Sequence, residues 1–103
     1  MLLVLCTCPP EAAERLAALL VEARVAACVN IDAAVRSFYW WQGEVNRDDE
    51  ALLIIKSHQR KWAELERLLV QEHPYDLPEI IALPVVRGSL SYLRWVEESL
   101  CLD

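Results

Sequence analysis

His73-Pro74-Tyr75-Asp76-Leu77-Pro78-Glu79 joins a segment of helical periodicity to an apolar segment typical of a β-strand. Its two prolines fix φ twice and remove two backbone donors, so this link is stiff and cannot continue the helix. An imidazole, a phenol and carboxylates lie along the link. So many polar groups on a rigid connection predict either a functional site or a corner of fixed shape, and the link alone leaves both open.

The segments around the link alternate between strand and helix patterns. Residues 2–8 form a continuous apolar run, typical of a strand that is buried on both faces. Pro9-Pro10-Glu11 opens a helix that we expect to end between residues 24 and 27. A second helix is predicted at 59–72 and a strand at 80–86, and a third helix follows Gly88-Ser89.

The longest β-prone segment spans residues 28–45 and returns as a strand over residues 50–57. Residues 31–34 predict a bulge or bend within it. The polar run Asn46-Arg47-Asp48-Asp49 predicts the turn between the two strands. We therefore expect Asp48, Asp49 and Glu50 at a solvated hairpin tip, with a carboxylate metal site as the alternative.

This order of elements, β-α-β-β-α-β with a terminal helix, indicates an α/β (α+β) fold of the ferredoxin-like, split β-α-β type. Right-handed crossovers predict the strand order 4-1-3-2, with the first strand in the centre and parallel to its neighbours. The chain has 103 residues and no visible linker or repeat, so residues 1–103 are predicted to form a single domain.

Four aromatic residues lie in the strand predicted at the sheet edge: Phe38, Tyr39, Trp40 and Trp41. Because side chains alternate along a strand, two of these rings face each side of the sheet. Large exposed rings on an edge strand invite aggregation, so both faces should be covered. We expect the long hairpin to pack against neighbouring copies of the chain. The alternative is that the terminal helix covers the second face.

The charge and composition exclude several function classes. A net charge of −6 argues against nucleic acid or an anionic membrane as partner. No apolar run is long enough to span a bilayer, so a cytoplasmic protein with reduced cysteines is expected. The chain has two glycines and no phosphate-binding loop, and no nucleophile stands at a recognisable spacing from a base. We therefore expect a protein that is not an enzyme.

Short motifs follow one another along nearly the whole chain: Val4-Leu5-Cys6-Thr7, Ala26-Ala27-Cys28-Val29-Asn30, Ser37-x-Tyr39-x-Trp41-x-Gly43, Ile55-Lys56-Ser57, His73-Pro74-Tyr75-x-x-Pro78-Glu79-Ile80 and Tyr92-Leu93-x-Trp95. In these motifs and their order, the chain resembles the CutA divalent-cation-tolerance proteins. The resemblance implies ferredoxin-like subunits in a PII-like homotrimer, joined by their long hairpins.

The resemblance also implies a role in tolerance of copper and other divalent metals. The ion is bound in this family by one cysteine and two adjacent histidines, and it is not required for folding. Cys6 matches the cysteine and His73 the second histidine, whereas Glu72 stands at the position of the first. A carboxylate is a harder ligand than imidazole and shifts preference away from Cu(I). His73 is equally well placed to cap the end of the preceding helix.

A second hypothesis places the function in a cleft between subunits that binds a small metabolite or a protein partner. Lys56 ends one predicted strand and Glu79 precedes another, and Tyr75, Tyr39 and Trp41 complete the cleft. A lysine, a glutamate and aromatic rings suit a small anion or metabolite. This alternative, a signalling or scaffold trimer, rests on analogy with PII regulators, and fold alone does not determine function.

Overall fold

A computed structural model describes residues 1–102. The elements follow the predicted order and are β1 (Leu2–Cys8), α1 (Ala13–Glu22), β2 (Cys28–Trp41), β3 (Glu44–Ser57), α2 (Trp62–Glu72), β4 (Ile80–Pro84) and α3 (Leu90–Ser99). A 3₁₀ turn precedes α1, and another precedes α2. This arrangement confirms the ferredoxin-like α/β fold with a third, terminal helix. No helix in this described part of the chain is long and apolar enough to cross a membrane.

The strands form one sheet in the order β2-β3-β1-β4, which confirms the predicted order with β1 inside the sheet. All three strand pairs are antiparallel, so the expectation that β1 runs parallel to its neighbours was wrong. Helix α1 joins β1 to β2, and helix α2 joins β3 to β4, and in each case one other strand lies between the two that are joined. That intervening strand runs in the opposite direction to both. The split β-α-β plan therefore gives an antiparallel sheet.

The core lies between the sheet and the pair α1 and α2. Alternate side chains of β1 and β3 face the helices because successive residues of a strand point to opposite faces. The large side chains without any exposed surface in this core include Val4, Leu16, Leu20, Leu53, Ile55, Leu65 and Leu69. Burying each of them contributes about 1.5–3 kcal/mol, so this layer holds the sheet and helices together.

The hairpin turns earlier than predicted, at Gln42 and Gly43. Their φ angles are 50° and 79°, as a two-residue type I′ turn requires, and Trp41 pairs with Glu44. The polar residues 46–49 therefore lie within β3, and the prediction of a turn and a solvated tip at residues 46–50 was wrong. The turn at Gln42 and Gly43 sets the register of the hairpin. Among the polar residues 46–49, Asp48 accepts the Tyr39 hydroxyl across the strands, and Arg47 pairs with Asp49 along β3. A register shift between Asp32 and Val35 confirms the predicted bulge.

The rings of Phe38, Tyr39, Trp40 and Trp41, here called the aromatic ribbon, lie in the edge strand β2 and are exposed in the single chain. The exposed fractions of Phe38 and Trp40 are 68% and 74%. Helix α3 is attached near the start of β2 instead, where Arg24 Nη1 donates to the Ser99 carbonyl over 2.9 Å. The alternative that the terminal helix covers the ribbon is therefore wrong.

Candidate functional site

A groove of about 820 Å³ lies between the β2–β3 hairpin and the 73–79 link. The residues that give it chemical character are Tyr39, Trp41, Asp48, Glu50, Tyr75 and Glu79. The structure thus brings together four of the five residues predicted for a cleft. Lys56 does not line the groove: it lies six positions beyond Glu50 along β3, which corresponds to about 20 Å.

The alternation of the two strands explains why these side chains meet. In the hairpin register Tyr39 pairs with Asn46, Ser37 with Asp48 and Val35 with Glu50, so Tyr39, Asp48 and Glu50 share one face. The side chains of Phe38 and Trp40 alternate to the opposite face of β2, although both residues also border the groove. The prolines of the link end α2 and direct the chain back across this end of the sheet, which places Tyr75 against Glu50.

Two phenol–carboxylate hydrogen bonds organise the groove. The Tyr75 hydroxyl donates to Glu50 Oε2 over 2.9 Å, and the Tyr39 hydroxyl donates to Asp48 Oδ2. Burial, and then the bond to Glu50, raise the pKa of Tyr75, while the bond to Asp48 is the main cause of the raised pKa of Tyr39. Both phenols are therefore neutral hydrogen-bond donors at neutral pH.

The groove is acidic. Asp48, Glu50, Asp76 and Glu79 line it, against the single basic residue Arg36. Within residues 1–102 the ion pairs are Arg15–Glu72 and Arg47–Asp49, and neither involves a carboxylate of the groove. Glu50 is the most enclosed of the four, with 6% of its surface exposed. The Glu50 carboxyl is thus enclosed without an ion-pair partner among residues 1–102.

Two of the three predicted metal ligands meet at one carbonyl. The Nε2 atom of His73 lies 2.8 Å from the Thr7 carbonyl oxygen, and the Cys6 thiol contacts the same oxygen over 3.6 Å. Glu72 lies apart from this contact. Arg15 holds it through both the Glu72 side chain and the Glu72 carbonyl, at 3.5 and 3.1 Å.

In this conformation the groups at the Thr7 carbonyl are engaged with the protein. His73 Nδ1 accepts a hydrogen bond from the Tyr75 backbone N–H over 3.1 Å, so both ring nitrogens have partners. Burial, followed by the charges of Cys8, Glu79 and Glu50, raises the pKa of the Cys6 thiol to about 12. Residues 1–102 contain no group of three or more His, Cys, Asp or Glu side chains placed to hold a metal ion. Metal ligation by Cys6, His73 and Glu72 stays a prediction.

The sequence interpretation missed Asp48, Glu50 and Thr7 as groove residues. The signal for the two carboxylates was present, since residues 46, 48 and 50 alternate along one face of a strand. It was hidden by the turn assigned to residues 46–49. Thr7 gave no signal, because its position in the groove depends on the pairing of β1 with β3.

An antiparallel ferredoxin-like sheet, an elongated β2–β3 hairpin and a groove beside the outer part of that hairpin together define a class of small ferredoxin-like proteins with an extended hairpin. A sequence model described as "CutA1 divalent ion tolerance protein" matches residues 2–99. The chain belongs to this family.

Solved structures and curated relatives agree with this assignment. A divalent cation tolerance protein (Cut A1) from Thermus thermophilus superposes with a TM-score of 0.93 at 44% identity, over 96% of this chain and 98% of that one. A PII-like CutA protein from Nostoc sp. in its apo form gives a TM-score of 0.93 at 35% identity, with 100% of both chains covered. The chloroplastic CutA 1 protein of Oryza sativa subsp. japonica is 45% identical over 86% of this chain. The chain spans 50% of that rice protein's length.

Proposed function

We propose that this chain forms a cytoplasmic homotrimer that contributes to divalent-metal tolerance by binding metal ions, rather than by catalysis. The exposed aromatic ribbon carries the proposal of an oligomer. Phe38 and Trp40 are more than two-thirds exposed on an unpaired edge strand, where natural proteins place charge or proline. Burial of each ring against another subunit would contribute about 1.5–3 kcal/mol.

The opposite edge of the sheet offers a second surface for the same assembly. Strand β4 is unpaired on its outer side, and Ile81 and Leu83 are about half exposed. A contact that joins one edge of a subunit to the other edge of the next is heterologous, and it closes into a ring of three when successive subunits are rotated by about 120°. The similarity to a protein described as PII-like supports this form of assembly.

Light scattering on a sizing column tests the oligomer. We expect the mass of three chains of 11.8 kDa each at micromolar concentration. Trp40→Glu should reduce the mass, because it places a charge in the proposed contact. Val70→Glu is the matched control, since Val70 is an exposed apolar residue of α2 outside the ribbon. A monomer mass for the unmodified chain refutes the trimer.

The candidate metal site is the pair Cys6 and His73, with Glu72 as an outer ligand. The support is the contact that the thiol and the imidazole share at the Thr7 carbonyl. Copper or another divalent ion that binds here must displace the hydrogen bonds of His73 and deprotonate the Cys6 thiol, so we propose low to moderate affinity.

Calorimetric titration with Cu(II) and Zn(II) tests the metal site. A Cys6→Ala/His73→Ala variant should lose the binding. The control, Cys101→Ala/His58→Ala, removes the same residue types outside the site and should retain it. Unchanged binding in the first variant overturns the assignment.

A second candidate function is ligand binding in the groove, as in a PII-like signalling or scaffold trimer. The observation that favours it is the enclosed Glu50 carboxylate beside Tyr75, in a groove of a size that suits a small metabolite. A thermal-shift screen of small acids, amines and nucleotides tests it. A ligand that stabilises the protein, and no longer does so in Glu79→Ala, supports the groove. The absence of any such ligand argues against it.

A further inference from the structure

We propose that the groove binds an organic cation, with an ammonium or guanidinium group at Glu50 and a flat or apolar body against Tyr39 and Trp41. The inference rests on the second candidate function above, ligand binding in the groove, and names the chemical class of its ligand. It is independent of the metal site at Cys6 and His73.

The charge of the groove decides between a cation and the anion first expected. An anion needs basic groups, and Lys56, the lysine expected to supply one, does not line the groove of its own chain. Four carboxylates remain against Arg36. A cleft lined mainly by one sign of charge concentrates ions of the opposite sign, so this groove attracts cations and repels carboxylates and phosphates.

Glu50 is the anchor for the charged group of the ligand. Only 6% of its surface is exposed, yet it belongs to the groove lining. Its Oε2 accepts the Tyr75 hydroxyl, whereas within residues 1–102 Oε1 accepts no hydrogen bond. Every fully enclosed side-chain oxygen of the described residues has a hydrogen-bond partner, so Oε1 is open to the groove. An ammonium or guanidinium group there would form a charge-assisted hydrogen bond with Oε1.

The aromatic side chains select for an organic cation over a bare metal ion. Tyr39 and Trp41 lie on the same face of β2, and Tyr75 closes the other side of the groove. Aromatic faces attract ammonium and guanidinium groups and also bind flat or apolar bodies. The described residues also lack a cluster of three side chains suited to a metal ion. The groove volume of about 820 Å³ lies within the range of about 300–1,000 Å³ typical of small-molecule sites.

Calorimetric titration with matched probes tests the proposal. Tyramine and 4-hydroxyphenylacetate share a ring and differ in the sign of their charge, and agmatine supplies a guanidinium group. We expect tyramine and agmatine to bind at least tenfold more tightly than the acid. Glu50→Gln should weaken the binding of both cations at least tenfold, because it removes the charge and keeps an acceptor for Tyr75.

Asp49→Asn is the matched control for Glu50→Gln. It makes the same change of charge one residue away, but its side chain pairs with Arg47 on the opposite face of the strand. Its affinity for tyramine should equal that of the unmodified protein. Circular dichroism shows whether Glu50→Gln folds. If it does not, Glu79→Gln takes its place, because Glu79 is exposed and lines the groove. Glu79→Gln should also weaken the binding of both cations.

Three results overturn the cation proposal. One is binding of the acid as tight as that of tyramine, which leaves a groove ligand but makes it an anion. Another is equal loss of affinity in Glu50→Gln and Asp49→Asn. The third is no binding of either cation together with an altered oligomer mass in Glu50→Gln, because a basic residue of a neighbouring subunit then occupies Glu50. If no compound of any charge binds, the groove function itself fails.

Discussion

The Nε2 atom of His73 lies 2.8 Å from the carbonyl oxygen of Thr7, and this contact ties the end of α2 to β1. The other ring nitrogen, Nδ1, accepts the Tyr75 backbone N–H over 3.1 Å, an arrangement that suits a ring proton on Nε2, facing the carbonyl. The ring thus fixes the first residues of the link from two sides. Tyr75 then reaches Glu50, so the shape of the groove depends on His73 even though His73 does not line it.

His73→Ala should lower the free energy of unfolding by about 1–3 kcal/mol, because it removes the side-chain partner of partly buried backbone groups of Thr7 and Tyr75. Urea unfolding at fixed protein concentration measures the change. His58→Ala is the control, since His58 also accepts a backbone N–H, from Arg60 over 3.1 Å, but at a more exposed site. Equal losses in the two variants contradict the role assigned to His73.

Glu72→His should tighten copper binding at least about tenfold, ~1.4 kcal/mol, because it supplies a second imidazole beside His73 in place of a harder carboxylate. The change also removes the ion pair with Arg15, whose partly exposed position limits its contribution to about 0–1 kcal/mol. Competition with a chelator of known affinity measures the copper dissociation constant. A copper dissociation constant equal to that of the unmodified protein contradicts a metal site that includes residue 72.

Gly43→Ala should destabilise the protein by about 1–2 kcal/mol, because an alanine at φ 79° is strained. An added Cβ meets no atom within 4 Å, so the effect is confined to the backbone. Gln42→Asn should act in the opposite direction, since asparagine followed by glycine is preferred in type I′ turns. Thermal unfolding measures both changes, and a loss of stability in both variants contradicts this turn geometry.

The four cysteines should differ in reactivity. At pH 8, iodoacetamide should modify the exposed Cys101 first, while the buried Cys6 and Cys8 react only after unfolding. Burial raises the pKa of Cys6 from 9.0 to about 12, so the folded state favours the thiol. The contribution of the Cys6 thiol to the free energy of unfolding is therefore complete below pH 9 and is lost as the pH rises through about 12. Peptide mapping by mass spectrometry measures the labelling, and early modification of Cys6 contradicts the buried position.

The tyrosine titration should be shifted to alkaline pH. The pKa values of Tyr75 and Tyr39 are raised above the usual value of about 10, through burial and through bonds to carboxylates. Because the folded state favours the neutral phenols, their contribution to stability is present below about pH 10 and is lost as the pH rises through the raised values. Ultraviolet difference spectroscopy measures ionisation, and Tyr75→Phe should remove one late-titrating group. Ionisation of every tyrosine near its usual pKa of about 10 contradicts the two bonds.

Most of the fold could be predicted because local patterns and chain connectivity agree. Apolar runs, proline positions and helical spacing located the elements, and the split β-α-β plan then gave the strand order. The hairpin turn was misplaced because the polar residues 46–49 resemble a turn in composition. The two-residue turn at Gln42 and Gly43 has a weaker signal, since glutamine is not typical of the first position.

The candidate groove was predicted in part. Tyr39, Trp41, Tyr75 and Glu79 meet, and all four lie in family motifs. Lys56 was included because it ends one predicted strand while Glu79 precedes another, and that pattern does not fix the distance between them. A cleft between subunits that contains Lys56 stays a prediction. Glu50 was missed because its burial depends on Tyr75, a residue 25 positions further along the chain.

By itself the sequence determined the class of fold, the family and the stiff 73–79 link, because proline geometry and apolar spacing act over a few residues. Only the tertiary structure decided what the link does. It brings the imidazole of His73 to the Thr7 carbonyl and the phenol of Tyr75 to Glu50, across separations of 66 and 25 residues. These contacts depend on strand register and on the antiparallel packing of the sheet, which no local pattern encodes. The sign of the groove's charge follows from the same packing, since Lys56 lies far along β3 while Asp48 and Glu50 face the link.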